Sequence, residues 1–125
     1  MKPNDTFPEV NFDYKTGVFL IKGRCLPLSG LENEIFEAIK DWMELYLANP
    51  CKETVLNMEL TYYGTAASKF FANFLLYFET LQSKGYKVQV NWYYDPDDRD
   101  MLEDGVNYSE IVDVPFNFIE KPIEL

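Results

Sequence analysis

Residues 54–85 read TVLNMELTYYGTAASKFFANFLLYFETLQSKG, and the other predicted elements are arranged around them. Residues 56–63 alternate between apolar and polar side chains, which is the pattern of a β-strand with one buried face. After Gly64 the apolar side chains recur at helical spacing, on a stripe that contains Ala67, Phe71, Phe74, Phe78 and Leu81. Gly64 and Thr65 therefore mark a turn from a strand into the longest and most apolar helix of the chain.

The length and composition of the chain predict one folded domain. The chain has 125 residues, of which 47% are hydrophobic and 17% aromatic, enough to bury a core. We expect a single domain over 1–125, with 1–7 as a flexible leader. The formal charge is −10, from 21 acidic against 11 basic residues. This sign argues against nucleic acid and against anionic membrane surfaces as partners, because both would repel the chain.

The cysteine and histidine content argues against the usual transition-metal sites. Cys25 and Cys51 stand alone in the sequence, and there is no histidine. We therefore expect no metal and no cofactor, and two reduced cysteines in a cytoplasmic protein. The first residues lack the apolar core of a signal peptide, and no apolar run approaches the ~18 residues of a membrane span.

The segments before the central stretch form a predicted hairpin and a helix. Residues 9–14 and 18–22 alternate as strands around a turn at 15–17. After a connection over 23–29, residues 31–48 carry apolar side chains at helical spacing, with Ser29 as a plausible cap.

The segments after the central stretch are a strand, a short helix and a last strand. Residues 86–93 alternate as a strand, and the sequence Asp-Pro-Asp-Asp at 95–98 predicts a helix start with Asp95 as its cap. Gly105 is predicted to end that helix, and 108–112 to form a further short turn. Residues 114–120 predict an edge strand, because prolines bracket them.

The element order is therefore β-β-α-β-α-β-α-β. The strand–helix–strand unit over 54–93 predicts a right-handed crossover between two parallel strands. Three strands carry one polar face each, which strands of a fully covered parallel sheet would not show. We predict a two-layer α/β sandwich: a mixed sheet with helices mainly on one face.

The carboxyl ends of the parallel strands are where a site is expected. Thr65 lies at this edge, and the crossover predicts that the Asp95 loop is its neighbour. One interpretation makes Thr65 the N-cap of the long helix, its oxygen accepting from a backbone amide. A second makes it a phosphorylation site, where free amides and the helix dipole favour the phosphate. The two interpretations are compatible.

The surface around Thr65 also has the composition of a protein-binding site. Tyrosine and tryptophan at a sheet edge are often caps of the core, but they are also typical of binding hot spots. The residues predicted to contact a partner lie in the strand end, the helix and the acidic loop: Tyr62, Tyr63, Gly64, Ser68, Lys69, Phe70, Asn73, Tyr77, Tyr94, Asp95, Asp97 and Asp98.

Two other classes of function stay open at this point. One is a divalent-metal-dependent enzyme that uses the acidic loop Asp95–Asp104. The loop lacks the glycine and glutamate of an EF-hand, with Asp100 and Val106 at those positions, and a solvated helix start explains its acids equally. The other is a structural subunit that assembles through the polar face of the sheet.

Four segments resemble the SiaC family of bacterial regulatory phosphoproteins, which are small STAS-like domains. They are PEVNFDYKTGVFLIKG at 8–23, LTYYGTAASKFF at 60–71, VNWYYDPDDRDMLEDG at 90–105 and PFNFIEK at 115–121. The resemblance covers nearly the whole chain, and the third segment is its most specific part.

The resemblance implies a binding module, not an enzyme, that phosphorylation switches. In that family a partner Ser/Thr kinase phosphorylates a threonine after the third strand, and a PPM-type phosphatase removes the phosphate. The unphosphorylated form binds and activates a diguanylate cyclase, which raises cyclic di-GMP and favours biofilm or aggregation. By position the threonine matches Thr65. This chain has Gly64, Ala66 and Ala67 where the family often has asparagine and serines.

Overall fold

The computed structural model describes residues 8–25 and 31–122, with the side chains of residues 31 and 32 outside that description. Its elements are β1 (Glu9–Asp13), β2 (Val18–Cys25), α1 (Leu31–Ala48), β3 (Glu53–Tyr63), α2 (Thr65–Ser83), β4 (Lys87–Tyr94), α3 (Arg99–Ile111) and β5 (Phe116–Glu120). The predicted element order is confirmed. The expected leader at 1–7 and the expected cap Ser29 lie outside the described residues.

The sheet has five strands in the order β1-β2-β3-β4-β5. β1 and β2 form the predicted antiparallel hairpin, and β2, β3, β4 and β5 run parallel to their neighbours. Each parallel connection moves one strand along in the same direction. Right-handed crossovers that all progress this way place their helices on the same face of the sheet.

Ring contacts confirm that the three helices cover one face. The buried Phe19 ring of β2 lies 4.8 Å from Tyr46 of α1 and 6.2 Å from Phe78 of α2, between ring centroids. The strand register puts Trp92 of β4 on the same face as Phe19, and its ring lies 5.5 Å from Tyr108 of α3. The predicted two-layer arrangement is therefore correct.

The opposite face carries a row of amide side chains that bond to one another. Asn57, Asn91 and Asn117 are register partners on three neighbouring strands. The Asn91 Nδ2 donates to Asn57 Oδ1 at 3.0 Å, and Asn117 Nδ2 donates to Asn91 Oδ1 at 3.2 Å. The face is polar, as predicted, and its amides pair across the strands.

The prediction that Gly105 ends the third helix is wrong. α3 continues through Gly105 to Ile111 and absorbs the turn expected at 108–112. A Cβ at position 105 would lie 2.5 Å from two atoms of the Trp92 indole. The glycine is therefore in the helix because it allows α3 to approach Trp92 closely, and not because it breaks the helix.

The start of α3 also differs from the prediction. Its N-cap is Asp98, whose Oδ1 accepts a hydrogen bond from the Met101 amide at 3.0 Å. Asp95 instead closes a turn, because its side chain accepts from the Asp97 amide at 2.8 Å and its carbonyl from the Asp98 amide at 2.9 Å. The first two acids of the loop thus precede the helix.

Several strand boundaries also differ: β1 ends at Asp13 and β4 covers Lys87–Tyr94, where 9–14 and 86–93 are predicted. β2 continues past Lys22 to Cys25, with a register shift between Gly23 and Arg24 that lets the strand keep pairing with β3. β5 begins at Phe116 and not at Val114, whose amide bonds instead to the carbonyl of residue 112.

The Tyr46 hydroxyl of α1 bonds to a buried hydroxyl of β3, and this gives a stability prediction. The Tyr46 hydroxyl lies 2.7 Å from Thr54 Oγ1, which belongs to a fully buried residue, and it accepts from the Cys51 amide at 3.1 Å. We expect Tyr46→Phe to lower the free energy of unfolding by about 1–3 kcal/mol, because both partners lose this hydroxyl. Urea denaturation measures the change. Tyr14→Phe, on a ring that is 46% exposed, is the control, and equal midpoints for the two variants would contradict the prediction.

Candidate regulatory site at the start of helix α2

Thr65 is the first residue of α2, and the N-cap is Gly64. The Gly64 carbonyl accepts the first helical hydrogen bond, from the Ser68 amide at 3.0 Å. The prediction that Thr65 is the N-cap is therefore wrong. Its side chain stands one position inside the helix, and no side-chain hydrogen bond caps this end.

The helix start is suited to a negative group. The amides of the first helical residues have no partner within the helix, and glycine at the N-cap has no side chain to supply one. No acidic residue lies in the first turn of α2. An anion at this position would therefore meet free donors and the positive end of the helix dipole.

Thr65 is exposed and begins the solvent-facing stripe of α2. The exposed residues Lys69, Asn73, Leu76 and Thr80 continue this stripe at helical spacing. Within the described residues, the Thr65 hydroxyl makes no hydrogen bond. The side chain is thus accessible to a modifying enzyme, with the Lys69 ammonium one turn further along the same stripe.

Tyr63 points away from this surface, towards α3. Its hydroxyl donates to Asp104 Oδ2 at 2.8 Å, and its ring packs edge-on against Phe71 at 5.5 Å. Burial, and then the hydrogen bonds with Asp104 and Tyr108, raise the pKa of Tyr63 well above its ordinary value. The hydroxyl therefore remains a neutral donor. Tyr63 contributes to the site through its contacts with Asp104 and Phe71.

Tyr108 of α3 contacts the first turn of α2. Its hydroxyl donates to the Ser68 carbonyl at 3.1 Å and lies 3.0 Å from the Ser68 hydroxyl. Sequence reasoning missed Tyr108, because it ended the helix at Gly105 and placed Tyr108 in a separate turn, and it considered Asp104 only as the end of the acidic loop. The spacing of four residues between the two was the available signal, since it puts both on one helix face.

The other predicted contact residues divide into exposed and packed ones. Tyr62 is 51% exposed. Phe70 stacks on Phe36 of α1, with ring centroids 4.2 Å apart and planes within 9°. Burial, followed by the nearby Glu44 carboxylate of α1, raises the pKa of Tyr77. Phe70 and Tyr77 therefore face the neighbouring helix, and the open part of α2 is the stripe that starts at Thr65.

The Asp95 loop lies beside Thr61, at the end of β3 on the sheet's polar face. Asp95 and Asp98 line a pocket of about 260 Å³, together with Thr61 and both tyrosines that end β4, Tyr93 and Tyr94. Tyr108 of α3, the helix that follows the loop, reaches the first turn of α2. Across residues 8–25 and 31–122, no three His, Cys, Asp or Glu side chains are grouped as a metal ion would require.

The model of the SiaC family regulatory phosphoproteins matches residues 1–121. The chain belongs to the SiaC family. An uncharacterized protein of Pseudomonas aeruginosa (strain UCBPP-PA14) is 26% identical over 109 residues, which cover 87% of this chain and 85% of the relative.

Solved structures of SiaC from Pseudomonas aeruginosa share the fold. One is SiaC in complex with the diguanylate cyclase SiaD, of which it is the activator; it superposes with a TM-score of 0.87 at 24% identity and covers 95% of this chain and 96% of that one. Apo-SiaC superposes with a TM-score of 0.84 at 24% identity, over 95% of each chain. The resemblance drawn from the sequence is thereby confirmed. None of the described helices has the length and apolar character needed to cross a bilayer.

Proposed function

We propose that this SiaC-family protein is a phosphorylation-switched binding regulator with no catalytic activity of its own, and that Thr65 is its phosphoacceptor. In the unphosphorylated form it binds and activates a diguanylate cyclase, which raises cyclic di-GMP and favours biofilm or aggregation. A Ser/Thr kinase and a PPM-type phosphatase set the state of Thr65. Family membership supports the regulatory class, and the fold match to SiaC in complex with SiaD supports the type of partner.

The observation that carries the proposal is the position of Thr65. The side chain is exposed, its hydroxyl has no hydrogen-bond partner among the described residues, and it stands on the first turn of a helix without an acidic residue there. A kinase would transfer the γ-phosphoryl group of ATP to Thr65 Oγ1, with the hydroxyl proton passing to a base of the kinase. Hydrolysis of the ester by the phosphatase would release inorganic phosphate and restore the hydroxyl.

The phosphate would change the charge of the surface without destabilising the fold. It adds about −1.5 to −2 charges and meets the free amides of the first turn, with Lys69 one turn away on the same stripe. A partner that covers Thr65 would have to bury this charge, which is costly without matching cations. Tyr62, three residues before Thr65, supplies an exposed aromatic ring of the kind that anchors protein interfaces.

The activation assay tests the proposal in its functional form. The diguanylate cyclase of the host is purified, and cyclic di-GMP synthesis is measured against rising concentrations of the unphosphorylated protein. We expect a saturable increase and a complex of fixed stoichiometry. An unchanged rate, with no complex on size-exclusion chromatography, would contradict it. Calorimetry with magnesium, calcium and manganese tests the alternative of a metal-dependent enzyme at Asp95–Asp104, which requires binding at sub-millimolar strength.

A further inference from the structure

The first turn of α2 is held from one side by a polar network of four side chains. Tyr63 donates to Asp104 at 2.8 Å, and Tyr108 reaches both the carbonyl and the hydroxyl of Ser68 at 3.1 and 3.0 Å. The network joins the end of β3, the first turn of α2 and the middle of α3. Ser68 is the residue whose amide closes that turn onto Gly64.

α3 is itself fixed to the sheet, so it can hold the turn in a defined place. The Trp92 Nε1–H donates to the Met101 carbonyl at 2.8 Å, and the Trp92 ring lies 5.5 Å from that of Tyr108. At its N-terminus α3 begins at the cap Asp98. The same helix thus contacts the turn that displays Thr65 and carries the acidic loop.

We infer that Tyr108 is a positioning residue, whose hydroxyl fixes the first turn of α2 against α3 so that a partner meets Thr65 in one defined place. The inference rests on the proposed function for the identity of the partner, a diguanylate cyclase. Tyr108 is buried and does not belong to the surface that the partner would touch. Its effect on binding therefore passes through Ser68.

The Tyr108→Phe variant removes the hydroxyl and keeps the ring against Trp92. Hydrogen–deuterium exchange of the isolated protein is measured over α2, together with the affinity for the cyclase of the host. We expect faster exchange confined to the amides of Ser68 and Lys69, the first that bond within the helix, and a loss of affinity of about two- to tenfold, because two hydrogen bonds to this turn are lost.

Tyr86→Phe is the control, since it removes the hydroxyl of a half-buried tyrosine at the opposite end of the sheet. We expect it to change neither measurement. Unchanged exchange at Ser68 and Lys69 in Tyr108→Phe, an increase spread evenly over α2, or an unchanged affinity would each overturn the inference. If the wild-type protein did not bind the cyclase, the proposed function would fail, while exchange in the isolated protein would still decide whether Tyr108 fixes the turn.

Discussion

Gly105→Ala is expected to lower the free energy of unfolding by about 1–3 kcal/mol, the range for forcing an extra carbon into a packed core. The new Cβ would lie 2.5 Å from the Cδ1 and Nε1 atoms of Trp92. The indole is fully buried and is held by its hydrogen bond to the Met101 carbonyl at 2.8 Å. α3 must therefore move away from the sheet to make room.

The clash with Trp92 and the helix propensity of alanine change the free energy of unfolding in opposite directions, so the sign of the measured change shows which effect is larger. In an exposed helix interior, alanine in place of glycine would gain about 0.8–1.0 kcal/mol. Chemical denaturation followed by tryptophan fluorescence measures the difference. Asn107→Ala, at an exposed position of the same helix, is the control and is expected to change stability little. A Gly105→Ala variant at least as stable as the wild type would show that α3 does not approach Trp92 as described.

The second prediction concerns Thr65 and separates binding from stability. We expect Thr65→Glu to reduce the affinity for the cyclase at least tenfold, which corresponds to about 1.4 kcal/mol, and Thr65→Ala to retain it. Under the proposed function, the carboxylate places a charge on the surface that the partner covers. In the first turn of α2 the same charge interacts favourably with the helix dipole, by about 0.3–1 kcal/mol. Thr65→Glu should therefore bind weakly while unfolding no more easily than the wild type.

Thr80→Glu is the matched control for this experiment. Thr80 is exposed on the same stripe of α2, about 22 Å away along the helix at 1.5 Å per residue. Calorimetric titration of the cyclase with the three variants, alongside thermal unfolding of each, gives both quantities. Equal affinities for Thr65→Glu and Thr65→Ala would remove the switch. A comparable loss in Thr80→Glu would attribute the effect to net charge alone.

Most of the fold could be predicted because its strands and helices have clear periods. The bounds of α1 match the prediction of 31–48 residue for residue, and the parallel pair β3–β4 follows from the strand–helix–strand order. α3 was misjudged because Gly105 has two opposite meanings in a sequence. It can end a helix, or it can let the helix approach a neighbour, and only the position of Trp92 decides between them.

The position of the candidate site could be predicted from the sequence, but not all of the residues around it. The turn at Gly64 placed Thr65 at a helix start, and the structure confirms that position. Helical spacing alone does not reveal on which side of α2 the neighbouring helices lie. Phe70 was therefore assigned to an open face although it stacks on Phe36. Tyr108 was missed for a related reason, since its contact with Ser68 spans 40 residues of sequence.

Phosphosite mapping of the protein purified from its own host, with the kinase active, shows whether Thr65 is the phosphoacceptor. Cleavage after Lys52 and Lys69 releases the peptide 53–69, which contains Thr65 and the competing hydroxyls of Thr54, Thr61 and Ser68. Fragment ions that break the chain on either side of Thr65 assign the phosphate. We expect one phosphate on Thr65, absent when the Thr65→Ala variant is treated in the same way. A phosphate on another residue, or none on Thr65 while the kinase is active, would contradict the account.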